Sequence, residues 1–150
     1  MQLMDVFKEN LVFLEFAAGS KDEAVEKFVR AVENHGFVED LKLLREALFE
    51  REKLGTTGVG GGIAIPHARS AAIKSLTVAF FRARDGIDFQ AIDNKPVHLI
   101  FMLLAPLSSG GPYLKLLAKI SRLLRSDEFR LALMEAKTPA EVLEIIKENE

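Results

Sequence analysis

The chain has 150 residues, room for a single domain able to bury about two thirds of its unfolded surface without help from a disulfide or metal. Hydrophobic residues make up 49% and charged residues 28%, and 22 acidic against 20 basic residues leave a net charge of −2. That is a globular composition without the basic footprint of a nucleic-acid binder, and the lack of cysteine excludes a thiolate metal site, a disulfide framework and a cysteine nucleophile.

The opening ten residues carry Asp5 and Glu9 and lack the basic-then-apolar order of a signal peptide. Val12 to Phe16 is a short strand candidate. Ser20 opens a helix, with Glu23 at capping-box spacing and Ala24, Val25, Phe28, Val29 and Val32 at helical intervals. His35-Gly36 closes it, the glycine offering a left-handed turn. Val38 to Lys53 reads as a second amphipathic helix, with Leu41, Leu44, Leu48 and Leu54 on one face. Five glycines between Gly55 and Gly62 forbid a regular helix and feed a short strand, Ile63 to Ile65. Leu76 to Arg82 and Val97 to Leu104 read as strands, the second so apolar that it belongs at the centre of a sheet. Between them Asp85-Gly86 signals a turn and Ile87 to Phe89 an edge strand. The apolar stretch from Val97 to Leu107 is interrupted by His98 and Pro106 and is too short to span a bilayer. Helices follow from Tyr113 to Leu124, from Ser126 through Met134, and from Thr138, where Pro139 and Glu141 complete an N-terminal signature. These elements predict one α/β domain over residues 1–150, a mixed sheet of about five strands flanked by helices, expected in the cytoplasm.

The chemistry is concentrated between Arg51 and Arg69. Gly55 and Gly60 have the spacing of a phosphate-binding P-loop, but Gly61-Gly62 stand where lysine and a hydroxyl residue belong. Ile63 likewise breaks a dinucleotide fingerprint counted from Gly58. A glycine run can still turn backbone N–H groups such as that of Gly60 towards a small anion, with Thr56 and Thr57 adding hydroxyls. Pro66 stops the strand and presents His67 at its end. A neutral imidazole nitrogen can attack phosphorus and later leave from it. His35, His67 and His98 show no metal-ligand spacing, so no metal or cofactor is expected.

Gly60-Gly61-Gly62-Ile63-Ala64-Ile65-Pro66-His67 resembles the phosphorylation motif of type-2 IIA domains of the phosphotransferase system, in which glycines lead into alanine, an aliphatic residue, proline and histidine. Arg45 to Glu52 upstream, Asp93 to Val97 downstream and the closing helices extend the likeness over essentially the whole chain. The resemblance implies that His67 is the phosphorylated residue and Arg51 the clamp for its oxygens, with Thr57 in support. Tyr113, in Pro112-Tyr113-Leu114-Lys115, stands where the family usually has a second histidine. A phenol can donate a hydrogen bond to a phosphoryl oxygen but carries no positive charge at neutral pH.

The implied activity is that of a phosphotransferase taking phosphate from a phosphohistidine on an HPr-like carrier. The implied partners are that carrier and either a IIB component or regulatory target proteins; dimerisation is open, and neither nucleic acid nor membrane insertion is expected. Lacking the IIB cysteine, the chain is expected to be a free-standing protein of the nitrogen-regulatory branch. A fructose-specific IIA serving a separate IIB is the alternative, and a module that binds partners without phosphate is a third reading.

Overall fold

The computed structural model describes all 150 residues. After a short 3-10 turn at Leu3–Asp5 come β1 (Phe7–Phe13), α1 (Lys21–Val32), α2 (Leu41–Lys53), β2 (Gly58–Gly60), β3 (Ile63–Ala64) and β4 (His67–Arg69). Then follow β5 (Thr77–Ile87), β6 (Val97–Ala105), α3 (Gly110–Leu123), α4 (Asp127–Glu135) and α5 (Pro139–Asn149). The six strands form one mixed sheet in the order β1-β5-β6-β3-β2, with β4 also paired to β6. β5 and β6 run antiparallel at its centre, β1 lies parallel to β5, β3 and β4 lie parallel to β6, and β2 is antiparallel to β3.

Period-two alternation divides the central strands between two hydrophobic layers. Ala79, Phe81, Ile100 and Met102 face α1 and α2, where Phe28, Val32, Leu44 and Leu48 are buried. Val78, Phe80, Phe101 and Leu103 face the other layer, built from Leu116, Ile120, Phe129, Leu133, Val142 and Ile146. Side-chain oxygens cap four of the five helices: Ser20, Asp40, Ser126 and Thr138 each accept from the backbone N–H three residues on. Glu23 and Glu141 bind the N–H one residue before the cap, Gly19 and Lys137, rather than the cap itself.

Several boundaries differ from the sequence reading. β1 begins at Phe7 and ends at Phe13, so Leu14 to Phe16 lie outside it; its register jumps between Phe7 and Val12, where Lys8, Glu9 and Asn10 turn out to solvent. α2 starts at Leu41, because Asp40 caps it and Val38 instead bridges to Ile73. Leu54 lies beyond that helix and is 85% exposed, leaving its predicted apolar face. Asp85-Gly86 is not a turn and Ile87 to Phe89 not a separate strand. β5 runs through Asp85-Gly86 and ends at Ile87, and a bulge absorbs the register shift. Gly86 permits this at φ 79°, where a Cβ would come within 2.7 Å of Pro96. Gly36 takes no positive φ, so α1 ends without the left-handed turn. The sheet has six strands where about five are expected, because residues 63–69 supply two and Gly58–Gly60 a further one, while residues 87–89 supply none of their own.

Candidate functional site

Pro66 creates the site by breaking a strand in two. β3 pairs with Leu99 and Ile100 of β6, the chain kinks at Ile65-Pro66, and β4 then rejoins the same edge of β6 opposite Leu103 to Ala105. His67 therefore opens a strand instead of ending one. Proline has no N–H for the ladder, but its carbonyl still accepts from Leu103 N–H at 2.9 Å. The carbonyl of Ile65 points to the imidazole, with Nδ1 of His67 2.7 Å away.

Arg51, in the last turn of α2, reaches the other side of the ring. Its Nε–H donates to His67 Nε2 at 3.1 Å, and Nη1 donates to Gly55 O at 2.9 Å. A nitrogen that accepts from a guanidinium is unprotonated, so Nδ1 carries the hydrogen and donates it to Ile65 O. One tautomer is thus fixed, with the Nε2 lone pair under Arg51. Burial pushes the imidazolium pKa below its ordinary value; the bond to Ile65 O works against this, and the nearby Arg51 charge adds to it. His67 remains partly open to solvent and borders cavities of about 200 and 440 Å³.

The glycine loop is a hairpin held from beneath. Gly60, Gly61 and Gly62 have φ of 95°, 67° and 80°, a run of left-handed residues that only glycine takes without strain. Gly61 N–H donates to Asp93 Oδ2 at 3.1 Å. The threonines serve the loop. Thr57 is buried, its hydroxyl bonded to Glu52 Oε2 and its N–H donating to Glu52 Oε1 at 3.0 Å. Thr56 donates to Phe89 O and accepts from Gly58 N–H. In this arrangement neither hydroxyl is free for an anion, although both threonines line the smaller cavity with Arg51 and His67. Gly60 lies further out, lining a 640 Å³ groove against α3.

Glu52 is the residue the sequence reading passed over. It receives Lys21 Nζ at 2.7 Å as well as Thr57, and both members of the ion pair are nearly sealed from solvent. Its place beside Arg51 in α2 was the only signal; nothing in the sequence pairs it with Lys21, thirty-one residues earlier. Tyr113 packs in the first turn of α3, its ring centre 6.1 Å from that of His67. Burial raises its pKa to about 12, so it stays a neutral phenol. His98 stands apart, its Nδ1 2.9 Å from Ala83 O. No group of three or more His, Asp or Glu side chains is arranged to hold a metal ion, and no helix is long and apolar enough to cross a membrane.

Comparisons with known proteins bear on the family and the fold. The family described as "Phosphoenolpyruvate-dependent sugar phosphotransferase system, EIIA 2" matches residues 5–149. A fructose-specific EIIA component of Haloferax volcanii is 41% identical over 138 residues, which span 92% of this chain and 90% of that protein. A fructose-specific EIIABC component of Bacillus subtilis is 31% identical over 150 residues, and there the chain spans only 24% of the relative's length. Among solved structures, the nitrogen regulatory protein IIA-Ntr of Neisseria meningitidis superposes with a TM-score of 0.88 at 37% identity, covering 95% of this chain and 97% of that one. Family members of this kind carry phosphoryl groups, and the chain belongs to the EIIA type-2 family of the phosphotransferase system.

Proposed function

We propose that His67 accepts a phosphoryl group from a phosphohistidine on an HPr-like carrier and hands it on, the 150 residues acting in the cytoplasm as one IIA unit. The observation that supports this most is the pair of bonds on the imidazole: Nδ1 held by Ile65 O and Nε2 covered by Arg51. With Nδ1 protonated, Nε2 is the nucleophile. Its lone pair forms the new N–P bond in line while the donor's N–P bond breaks; a donor ring protonated on its other nitrogen leaves with that electron pair as a neutral imidazole, and the His67 ring, still carrying its Nδ1 hydrogen, takes over the positive charge. No proton has to move. Arg51 swings off the lone pair onto the phosphoryl oxygens, a short step for a guanidinium already tied to the loop at Gly55. Such transfer is chiefly positioning and charge stabilisation.

For the next step, the likeness to IIA-Ntr supports a nitrogen-regulatory protein whose phosphorylation state is read by target proteins. The 41% identity to a fructose-specific EIIA favours, as a second reading, delivery to a IIB component. Incubation with phosphoenolpyruvate, enzyme I and HPr, followed by intact mass, tests the first step. One added phosphoryl group is expected in the wild type and none in His67→Gln. A His67→Gln protein that still gains it would end this assignment. Adding a fructose IIB component separates the readings, since only the second expects its cysteine to drain the label rapidly.

A further inference from the structure

A phosphorylated His67 must hold about two negative charges in a partly buried corner. The charges already there are nearly all spoken for. Lys21 and Glu52 neutralise each other at 2.7 Å, and Glu50, on the rim of the outer cavity, is paired with Lys53 at 3.1 Å. Tyr113 is neutral. Arg51 supplies one positive charge. The ring itself is cationic only while Nδ1 keeps its hydrogen; once that proton is lost, one more cation is needed to match the dianion, and one is present.

Arg69 lies two residues beyond His67 on β4, so both side chains leave the same face of the strand while Ala68 between them is buried. Its guanidinium makes no hydrogen bond and no ion pair. It rests over the Tyr113 ring with Cζ 5.4 Å from the ring centre, and the same ring faces His67 at 6.1 Å. It also lines the 440 Å³ cavity together with Arg51 and His67. A guanidinium parked on an aromatic face loses less on leaving it than a charge-assisted bond to a phosphoryl oxygen returns.

We propose that Arg69 is a second phosphoryl-binding residue, stored on Tyr113 while His67 is bare and turning onto the phosphoryl oxygens once the N–P bond has formed. Arg51 and Arg69 then bracket the group, one from α2 and one from β4, and match its charge. Tyr113 contributes a wall that keeps the free guanidinium beside the imidazole. This rests on His67 being the phosphorylated residue.

The test uses the full chain loaded by phosphoenolpyruvate, enzyme I and HPr. Arg69→Gln is expected to shorten the phosphohistidine lifetime and slow its formation by roughly tenfold, the scale of one charge-assisted bond. The phosphorus resonance of the loaded protein should titrate at higher pH in Arg69→Gln, because a lost cation no longer favours the dianion, and Arg69→Lys should restore most of the shift. Arg69 is exposed, so the thermal midpoint should hold. If the loaded Arg69→Gln protein titrates and decays like the wild type, or if it slows without a change in phosphorus titration, Arg69 does not bind the group. If the wild type takes no phosphoryl group at all, the carrier reading fails first and this proposal with it.

Discussion

The buried cations of this protein are tied to acceptors of the fold, and the cations beside His67 keep donors in hand. Arg82 sits 1% exposed in β5, where Nη1 donates to the carbonyls of Leu133, Met134 and Ala136 at the end of α4. Those are carbonyls that a terminating helix leaves without intrahelical partners. Lys21 is equally committed, sealed against Glu52 and over the Phe89 ring at 5.0 Å. Arg51 spends one donor on a lone pair that must later be released, and Arg69 spends none on an acceptor. The same side-chain chemistry thus serves the fold when its donors are fixed on backbone or a buried carboxylate, Arg82 Nε alone lacking a partner, and suits the proposed transfer when donors are left in hand.

Lys21→Met gives the sharpest break of that contrast. It strands a buried carboxylate, at a cost of about 3–5 kcal/mol and a fall in thermal midpoint of about 10 °C or more. Adding Glu52→Gln should recover most of the loss, because the amide oxygen still accepts from Thr57 N–H. Thermal denaturation of the two variants decides it: a Lys21→Met protein as stable as wild type would mean that the pair carries no structural weight. Arg51→Gln is the converse case. Transfer should slow about 100-fold or more, equivalent to about 2.7 kcal/mol, with the thermal midpoint nearly unmoved. Unfolding of this variant would instead place Arg51 among the cations that hold the fold. Arg82→Met follows at about 2 kcal/mol of stability, from carbonyls left without a donor, with phosphorylation of the remaining folded protein unchanged. Circular dichroism melts together with the mass assay measure both halves of that statement.

Legibility in the sequence follows the same division. Local rules carried far: Ser20, Ser126 and Thr138 were readable as caps, Val97 to Leu104 as the central strand, and Pro66-His67 as a strand break beside a glycine loop. What escaped depended on contacts between distant segments. Phe7 to Leu11 carry no alternation that marks a strand, and only pairing with Val78 and Phe80 around a bulge draws them into β1. Asp85-Gly86 has turn composition, but pairing of Ile87 with Val97 draws it into β5. Thr56 and Thr57 looked like anion donors because their local sequence is flexible and polar, whereas Glu52 and Phe89 claim them from elsewhere in the fold. Arg51 and His67 were joined only by resemblance, since sixteen residues and a hairpin separate them; the 3.1 Å contact supplies the physical reason.

The smallest effect concerns pH and tests whether the two kinds of cation differ electrostatically at His67 itself. Its pKa is lowered in the folded protein, so the unfolded chain binds a proton first as pH falls. Stability tied to the neutral ring is complete above about pH 6.5, the unfolded value, and is lost as pH drops through the lower folded value. His67→Gln should therefore close part of the stability gap between pH 7 and pH 5 that the wild type opens. The acid limb of the transfer rate should also lie below pH 6.5 and move upward in Arg51→Gln, because the Arg51 charge helps to hold the ring neutral. Arg82 is not among the groups that shift the imidazole, so replacing it should leave that limb in place. Proton resonances of His67 followed through a pH titration read the value directly. A midpoint above 6.5 in the wild type, or one indifferent to Arg51, would show that the ring is held by something other than burial and its neighbouring guanidinium.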